Sequence, residues 1–206
     1  MLAAALLFAA AAAVRLPPVE QCAGDPEFDL VRAELGRAVE AKDIDGLLSL
    51  MSTDVRVTFG GRFGRESFRH YWASNSSDSG ELWRELRAAL DLGCAAATDG
   101  KGVAYRAMPS MFITGGGLDG FTTWVAMPGA GLRRRPAQGA AVTMRLPAWT
   151  VLEEVQHDGG SWLQVRTPKG RRGYVSTAEA RSLIDYRIVF GRRDGRWRIT
   201  AFVAGD

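Results

Sequence analysis

The chain has 206 residues, of which 47% are hydrophobic and 24% charged, and its formal net charge is +3. This balance excludes a chain too polar to build a core, and the length accommodates one large domain or two small ones.

The opening "MLAAALLFAAAAAV" is an apolar run from Leu2 to Val14, closed by Arg15. Thirteen residues cannot span a hydrocarbon core of roughly 30 Å, which takes about 20. The run instead matches the apolar region of a secretory signal, with Ala11 and Ala13 offering small residues to a peptidase, although no Lys or Arg precedes Leu7. A leader over residues 1–21 is therefore expected, with a periplasmic or secreted product and no transmembrane segment in the mature chain. Export changes the meaning of Cys22 and Cys94, because in an oxidising compartment a lone pair is expected to form a disulfide. Such a bridge stabilises by roughly 2–4 kcal/mol. Two Cys and two His far apart in sequence supply no zinc ligand set.

Asp25 followed by Pro26 reads as an N-cap and first helical residue, and Phe28, Val31, Leu35 and Val39 repeat at helical spacing behind them. Asp43 restarts a short helix carrying Leu47, Leu48 and Met51, and "DVRVTF" at 54–59 reads as a strand. A Gly-rich turn then leads into a helix with Phe68 and Trp72 four residues apart. "ASNSSDSG" reads as a solvated linker; Asn75 with Ser77 fits the glycosylation pattern, a match that comes cheaply in a Ser-rich loop. Asp78 and Glu81 form a box-like start for a helix with the stripe Leu82, Leu86 and Leu90. Strands are expected at 94–97 and 103–108, joined at Asp99-Gly100, and "TGGGLDG" at 114–120 is a connector.

From Trp124 to Val175 the pattern becomes short β runs, "TWVAM", "AVTMRL", "TVLEEV", "WLQVR" and "GYV", separated by Gly, Pro or Asp-Gly turns. The landmarks Leu132, Pro136, Trp162, Val165, Gly170, Gly173, Tyr174 and Val175 resemble those of the bacterial SH3 family in order and spacing. "LRRRPA" and Tyr174 depart from that family's usual arm and its common Trp. The resemblance implies a small β-barrel over 123–177 that binds a peptide, a cell-wall fragment or a protein partner. Within "WLQVR", Trp162, Gln164 and Arg166 share one face, while Leu163 and Val165 share the other. The aliphatic pair is the expected core, which leaves Trp162 at the rim. Trp149 and Tyr174 are expected to complete an aromatic surface beside Arg133, Arg171 and Arg172, and these six are the candidate ligand residues.

In the closing segment, a two-residue turn at Asp194-Gly195 sets Arg193 opposite Arg196, Phe190 opposite Ile199, Ile188 opposite Ala201 and Tyr186 opposite Val203. One face is then apolar except for Arg192 opposite Trp197, and Arg187, Arg193, Arg196 and Arg198 face water. The hairpin has no core of its own. Residues 38–72, "AVEAKDIDGLLSLMSTDVRVTFGGRFGRESFRHYW", resemble the opening of ketosteroid-isomerase-like (nuclear transport factor two-like) domains. The resemblance implies an α+β fold: a helix-rich module over 25–122 and 180–206, with a curved antiparallel sheet closed by the C-terminal hairpin and the SH3-like barrel inserted before it.

Catalysis in that class uses an Asp base and hydrogen-bond donors lining a cone, and no such set stands out here. His70 on a helix reads as structural and His157 beside Asp158-Gly159 as solvent exposed. There is no phosphate loop, nucleophile elbow or zinc-protease motif, and no cofactor or metal is implied. Residues 127–176 hold eight Lys or Arg against three Asp or Glu, a balance of +5, whereas 25–126 hold eleven against fifteen, or −4. The basic excess suits anionic envelope polymers, acidic protein surfaces or phospholipid headgroups, and export argues against nucleic acid. The reading is a noncatalytic exported envelope protein that binds through its SH3-like module. The alternative is an enzyme or small-molecule binder using the cone of the first module.

Overall fold

A computed structural model describes residues 14–75, 80–157 and 159–205. The expected leader sequence up to Ala13, Ser77, Asp78 and Asp158 lie outside the described residues. In chain order the elements are α1 (Pro26–Ala41), α2 (Ile44–Leu50), β1 (Met51–Arg56), α3 (Arg65–Asn75), α4 (Glu81–Leu90), β2 (Ala95–Thr98), β3 (Ala104–Met108) and α5 (Met111–Thr114). Then follow β4 (Thr123–Ala126), β5 (Gly131–Arg133), β6 (Val142–Arg145), β7 (Val151–Gln156), β8 (Trp162–Arg166), β9 (Arg172–Ser176), β10 (Ala180–Ser182), β11 (Arg187–Arg193) and β12 (Arg196–Val203). The fold is α+β with two sheets. The chain divides into two units, one of residues 17–121 and 183–206, the other of 122–182 with the segment before Pro17.

In the first unit, α1 starts where sequence places it. The Asp25 carboxylate accepts the Phe28 N–H, and Pro26 occupies the first turn, where a missing N–H costs nothing. Asp25 also accepts from the Trp197 indole (3.0 Å) and the Arg106 guanidinium (2.9 Å). Burial alone would raise its pKa, but these donors, with Arg192, more than offset that and hold it below the ordinary value. Asp43 caps α2 through the Asp45 and Gly46 N–H groups. The strand after α2 begins at Met51 rather than Asp54, because Met51 already ends the helix in extended conformation and no turn intervenes. Helix α4 starts at Gly80 with no side-chain cap.

The five-stranded sheet has the order β1-β12-β11-β3-β2, and β1 joins β12 in parallel, so the sheet is mixed rather than purely antiparallel. Arg193 faces Arg196 and Phe190 faces Ile199 as the turn requires, but Thr200 forms a bulge that shifts every pair beyond it by one. Ile188 therefore faces Phe202 rather than Ala201, and Val203 faces Arg187 rather than Tyr186. The bulge turns the larger Phe202 into the core beside Ile188. Phe28 packs edge-on against Phe190 (5.0 Å) and Trp197 (5.4 Å), and Trp72, Tyr186 and Phe202 form a second aromatic group. Each large apolar side chain buried here contributes roughly 1.5–3 kcal/mol. Arg187 does not face water. It is 3% exposed, its guanidinium lies over Phe112 (4.4 Å) and Phe59 (5.4 Å), and it donates to the Gly205 carbonyl.

The Cys22–Cys94 disulfide is present and joins the segment before α1 to the start of β2. The same segment is tied by the Gln21 N–H to the Cys94 carbonyl (2.8 Å) and by the Val19 N–H to Ser110 Oγ (3.0 Å).

The second unit is a seven-stranded antiparallel sheet of order β10-β4-β7-β8-β9-β5-β6. Its core is Leu132, Leu146, Leu152, Leu163, Val165 and Val175, with Ala126 and Ala130. The hydrogen-bonded ladder of this small SH3-like unit ends at β10 and β6 and does not close on itself. The short β5 meets β9 at the pair Arg133 and Tyr174 and carries a bulge between Leu132 and Arg133. Glu179, the residue before β10, ties that edge to β5, accepting from the Gly131 N–H and the Arg133 guanidinium. Residues 14–16 belong to this unit, with Leu16 N–H on the Trp149 carbonyl and Val14 C=O taking the Val151 N–H.

Candidate binding groove

The outer face of β8 and β9 supplies a groove floor. The register sets Trp162 opposite Ser176, Gln164 opposite Tyr174 and Arg166 opposite Arg172, so these six side chains share one face while Leu163, Val165 and Val175 are fully buried on the other. The alternation in "WLQVR" follows from this: an aliphatic residue at each inward position, a polar or amphipathic one at each outward position. Gly173 lets the strands approach, since a Cβ there would lie 2.7 Å from Leu132 Cγ and 2.9 Å from the Arg133 carbonyl oxygen.

A cavity of about 380 Å³ opens over this floor, lined by Pro136, Gln156, Gly160, Ser161, Trp162, Gln164 and Tyr174. Pro136 comes from the β5–β6 loop, and Gly160 and Ser161 from the β7–β8 turn. That turn is fastened by contact between His157 Nε2 and the Gly160 carbonyl (3.0 Å), and the His157 ring meets Trp124 edge-on at 5.7 Å. His157 is thus half-buried and held, not simply solvated. His70 is exposed on α3.

Of the six residues expected to form the ligand surface, Trp162 and Tyr174 line the groove. Arg133 is only 8% exposed and bonded to Glu179 (3.0 Å), with its guanidinium carbon 5.7 Å from the Trp162 ring centre. It supports the indole rather than offering a surface cation, because its charge is already matched. Trp149 does not line the groove. Its backbone is left-handed (φ 68°), and its N–H donates to the Ala126 carbonyl. Arg171 is exposed in the β8–β9 turn, where its backbone N–H donates to Thr167 Oγ1 (3.1 Å). Arg172 lies on the floor's face but beyond the groove, opposite Arg166. Sequence reading missed Pro136, Gln156, Gly160, Ser161 and Gln164 as lining residues; the outward position of Gln164 and the landmark place of Pro136 were the only signals.

The alternative site, a cone between helices and sheet, is occupied by side chains. Phe28, Phe68, Phe190, Phe202, Leu35, Leu47 and Leu86 are fully buried there, and a ligand would have to displace them. Glu20 approaches Cys22 and Cys94, but both sulfurs are committed to the disulfide. Among the described residues no helix is long and apolar enough to cross a membrane.

Residues 128–180 match the family model described as bacterial SH3 domain, and the second unit is accordingly of bacterial SH3 type, a fold of binding modules. No curated protein matches the chain. Among solved structures it is similar to Aln2 from a Streptomyces species (9% identity, TM-score 0.31, covering 86% of each chain). It is also similar to an NTF2-like protein with a cystatin-like fold from Novosphingobium aromaticivorans (15% identity, TM-score 0.30, 86% of this chain and 78% of that one). A third is RV0760c from Mycobacterium tuberculosis, solved with estradiol-17beta-hemisuccinate (12% identity, TM-score 0.28, 88% and 93%). At TM-scores of 0.28–0.31 these likenesses carry no functional conclusion for this chain.

Proposed function

We propose that the chain is a noncatalytic exported protein whose SH3 groove holds an extended peptide, either that of a cell-wall fragment or a segment of an envelope protein. The observation that carries this reading is the groove lining. Trp162, Tyr174 and Pro136 give flat apolar contact at low entropic cost, and Gln156, Gln164 and Ser161 supply donors and acceptors suited to a peptide backbone. Arg134 and Arg135, exposed beside Pro136, favour an acidic partner.

The test is retention of the purified chain on envelope sacculi and on acidic envelope proteins at fixed salt. Trp162→Ala is expected to weaken retention at least tenfold, the effect of losing a central aromatic contact worth about 2 kcal/mol, with hydrogen-exchange protection of β8 unchanged. Unchanged retention would reject the groove, and cooperative loss of β8 protection would make Trp162 a structural residue.

Export rests on the apolar run Leu2–Val14 and on a cysteine pair suited to an oxidising compartment. Within the expected leader 1–21 we place cleavage after Ala13, where Ala11 and Ala13 offer the small-residue pair that a signal peptidase requires. N-terminal sequencing of cell fractions should then read Val14-Arg15-Leu16, and an intact Met1 in the cytoplasm would refute export.

A further inference from the structure

The face of the five-stranded sheet turned away from α1–α4 holds a second cavity, of about 460 Å³, within the range of roughly 300–1,000 Å³ common to small-molecule sites. Its direction follows from strand alternation. Ile188 and Phe190 of β11 and Met108 of β3 enter the helix-covered core, so Val189, Gly191 and Tyr105 point the other way and line the cavity. Phe112 of α5 and Phe59 of the loop after β1 rise at its sides. Gly191 keeps the floor open. A Cβ there would already stand 3.2 Å from Thr200 Cγ2, and any larger side chain would project into the space.

The walls are cationic. Arg56, Arg187 and Arg193 line the cavity against one carboxylate, Asp99, which is engaged by the Lys101 and Val103 N–H groups. Arg193 lies 3.6 Å from Asp54, and Arg187 donates to the Gly205 carbonyl. Arg56 differs. Its guanidinium carbon lies 5.4 Å from the Phe59 ring centre and 5.1 Å from that of Phe63, and among the described residues no carboxylate lies within ion-pair distance of it. A guanidinium packed on aromatic faces keeps its in-plane N–H donors for an anion, and the half-buried setting strengthens the bond.

We propose that this cavity binds a small amphipathic carboxylate, with its apolar body on Val189 and Gly191 beside Tyr105 and Phe112 and its carboxylate on Arg56. The site is separate from the SH3 groove and does not depend on the function proposed for it.

The probe is pyrenebutyrate, titrated by fluorescence into the full chain, with neutral pyrenebutanol in parallel. Saturable binding of the acid is expected, about tenfold tighter than the alcohol, the gain from one charge-assisted contact. Arg56→Gln should erase that difference, and Phe59→Ala, at a 40% exposed position, should reduce it. Gly191→Val should abolish binding of both probes while β11 keeps its hydrogen-exchange protection. Absence of saturable binding to the wild-type chain, equal affinity for acid and alcohol, or indifference to Arg56→Gln would overturn the assignment. So would loss of binding in Trp162→Ala, which would put the probe in the SH3 groove. A concentration-dependent dimer that excludes the probe would give the face to a second copy of the chain and likewise overturn it.

Discussion

The Cys22→Ala/Cys94→Ala double variant is expected to lose about 4 kcal/mol of stability in the unit that carries the bridge. The bridge closes a loop with a sequence separation of 72 residues, for which the chain-entropy account gives a stabilisation of about 4 kcal/mol. Alanine is the appropriate replacement because both cysteines are essentially unexposed, 1% and 0%, and serine would bury two hydroxyls. The loss should appear in hydrogen exchange of the Ile188 and Phe190 amides, which lie in that unit's central strand, while amides of Leu163 and Val165 in the other unit hold their protection. A drop below about 1 kcal/mol, far under the range typical of native bridges, would show that the noncovalent ties of the segment suffice. The expectation also bears on compartment. A chain that depends on its bridge to this degree accumulates best where the thiols stay oxidised, which the proposed export provides.

What could be read from sequence was local chemistry whose signal repeats or stands at a fixed offset. Asp25 before Pro26 marks a helix start because cap and missing donor are both local, and "WLQVR" declares its two faces because side chains alternate whatever the rest of the sheet does. The α+β class and the SH3 resemblance rest on such patterns. What could not be read depended on a single residue's departure from the pattern or on parts distant in sequence. Nothing in "RWRITAFV" marks Thr200 as the extra residue; the bulge follows from packing, since it delivers Phe202 instead of Ala201 to the core. Arg133 and Arg187 look like solvated cations in sequence, yet Glu179 in one unit, and Phe59, Phe112 and the Gly205 carbonyl in the other, remove them from the surface. The groove joins Pro136, Ser161 and Tyr174 from three stretches, two of them loops with no periodicity to expose them.

Gly93→Ala is the second substitution expected to have a large effect, of roughly 2–5 kcal/mol, adding a left-handed backbone cost to an overpacking cost. Gly93 has φ 72°, and a Cβ on it would lie 2.2 Å from the Val19 carbonyl oxygen and 3.1 Å from its carbon. Both atoms are backbone, so no rotamer change relieves the clash, and either the Val19 segment lifts or the β2 entry bends. Lifting would break the Val19 N–H bond to Ser110 Oγ and strain the Gln21 pairing with Cys94. Gly102→Ala separates the two contributions. Gly102 has φ 77° with nothing within 4 Å of a Cβ, so it should cost only the conformational part, about 1–2 kcal/mol. The disulfide decides how the clash is resolved, because it pins the Val19 segment, through Cys22, to Cys94, the residue next to Gly93. In the Cys22→Ala/Cys94→Ala background the segment is free to move, and Gly93→Ala should cost less there by about 1 kcal/mol or more, within the coupling expected of residues sharing one contact. Denaturation midpoints of the four proteins complete the cycle. Strict additivity, or a Gly93→Ala cost no larger than that of Gly102→Ala, would show that Val19 does not press on Gly93 in solution.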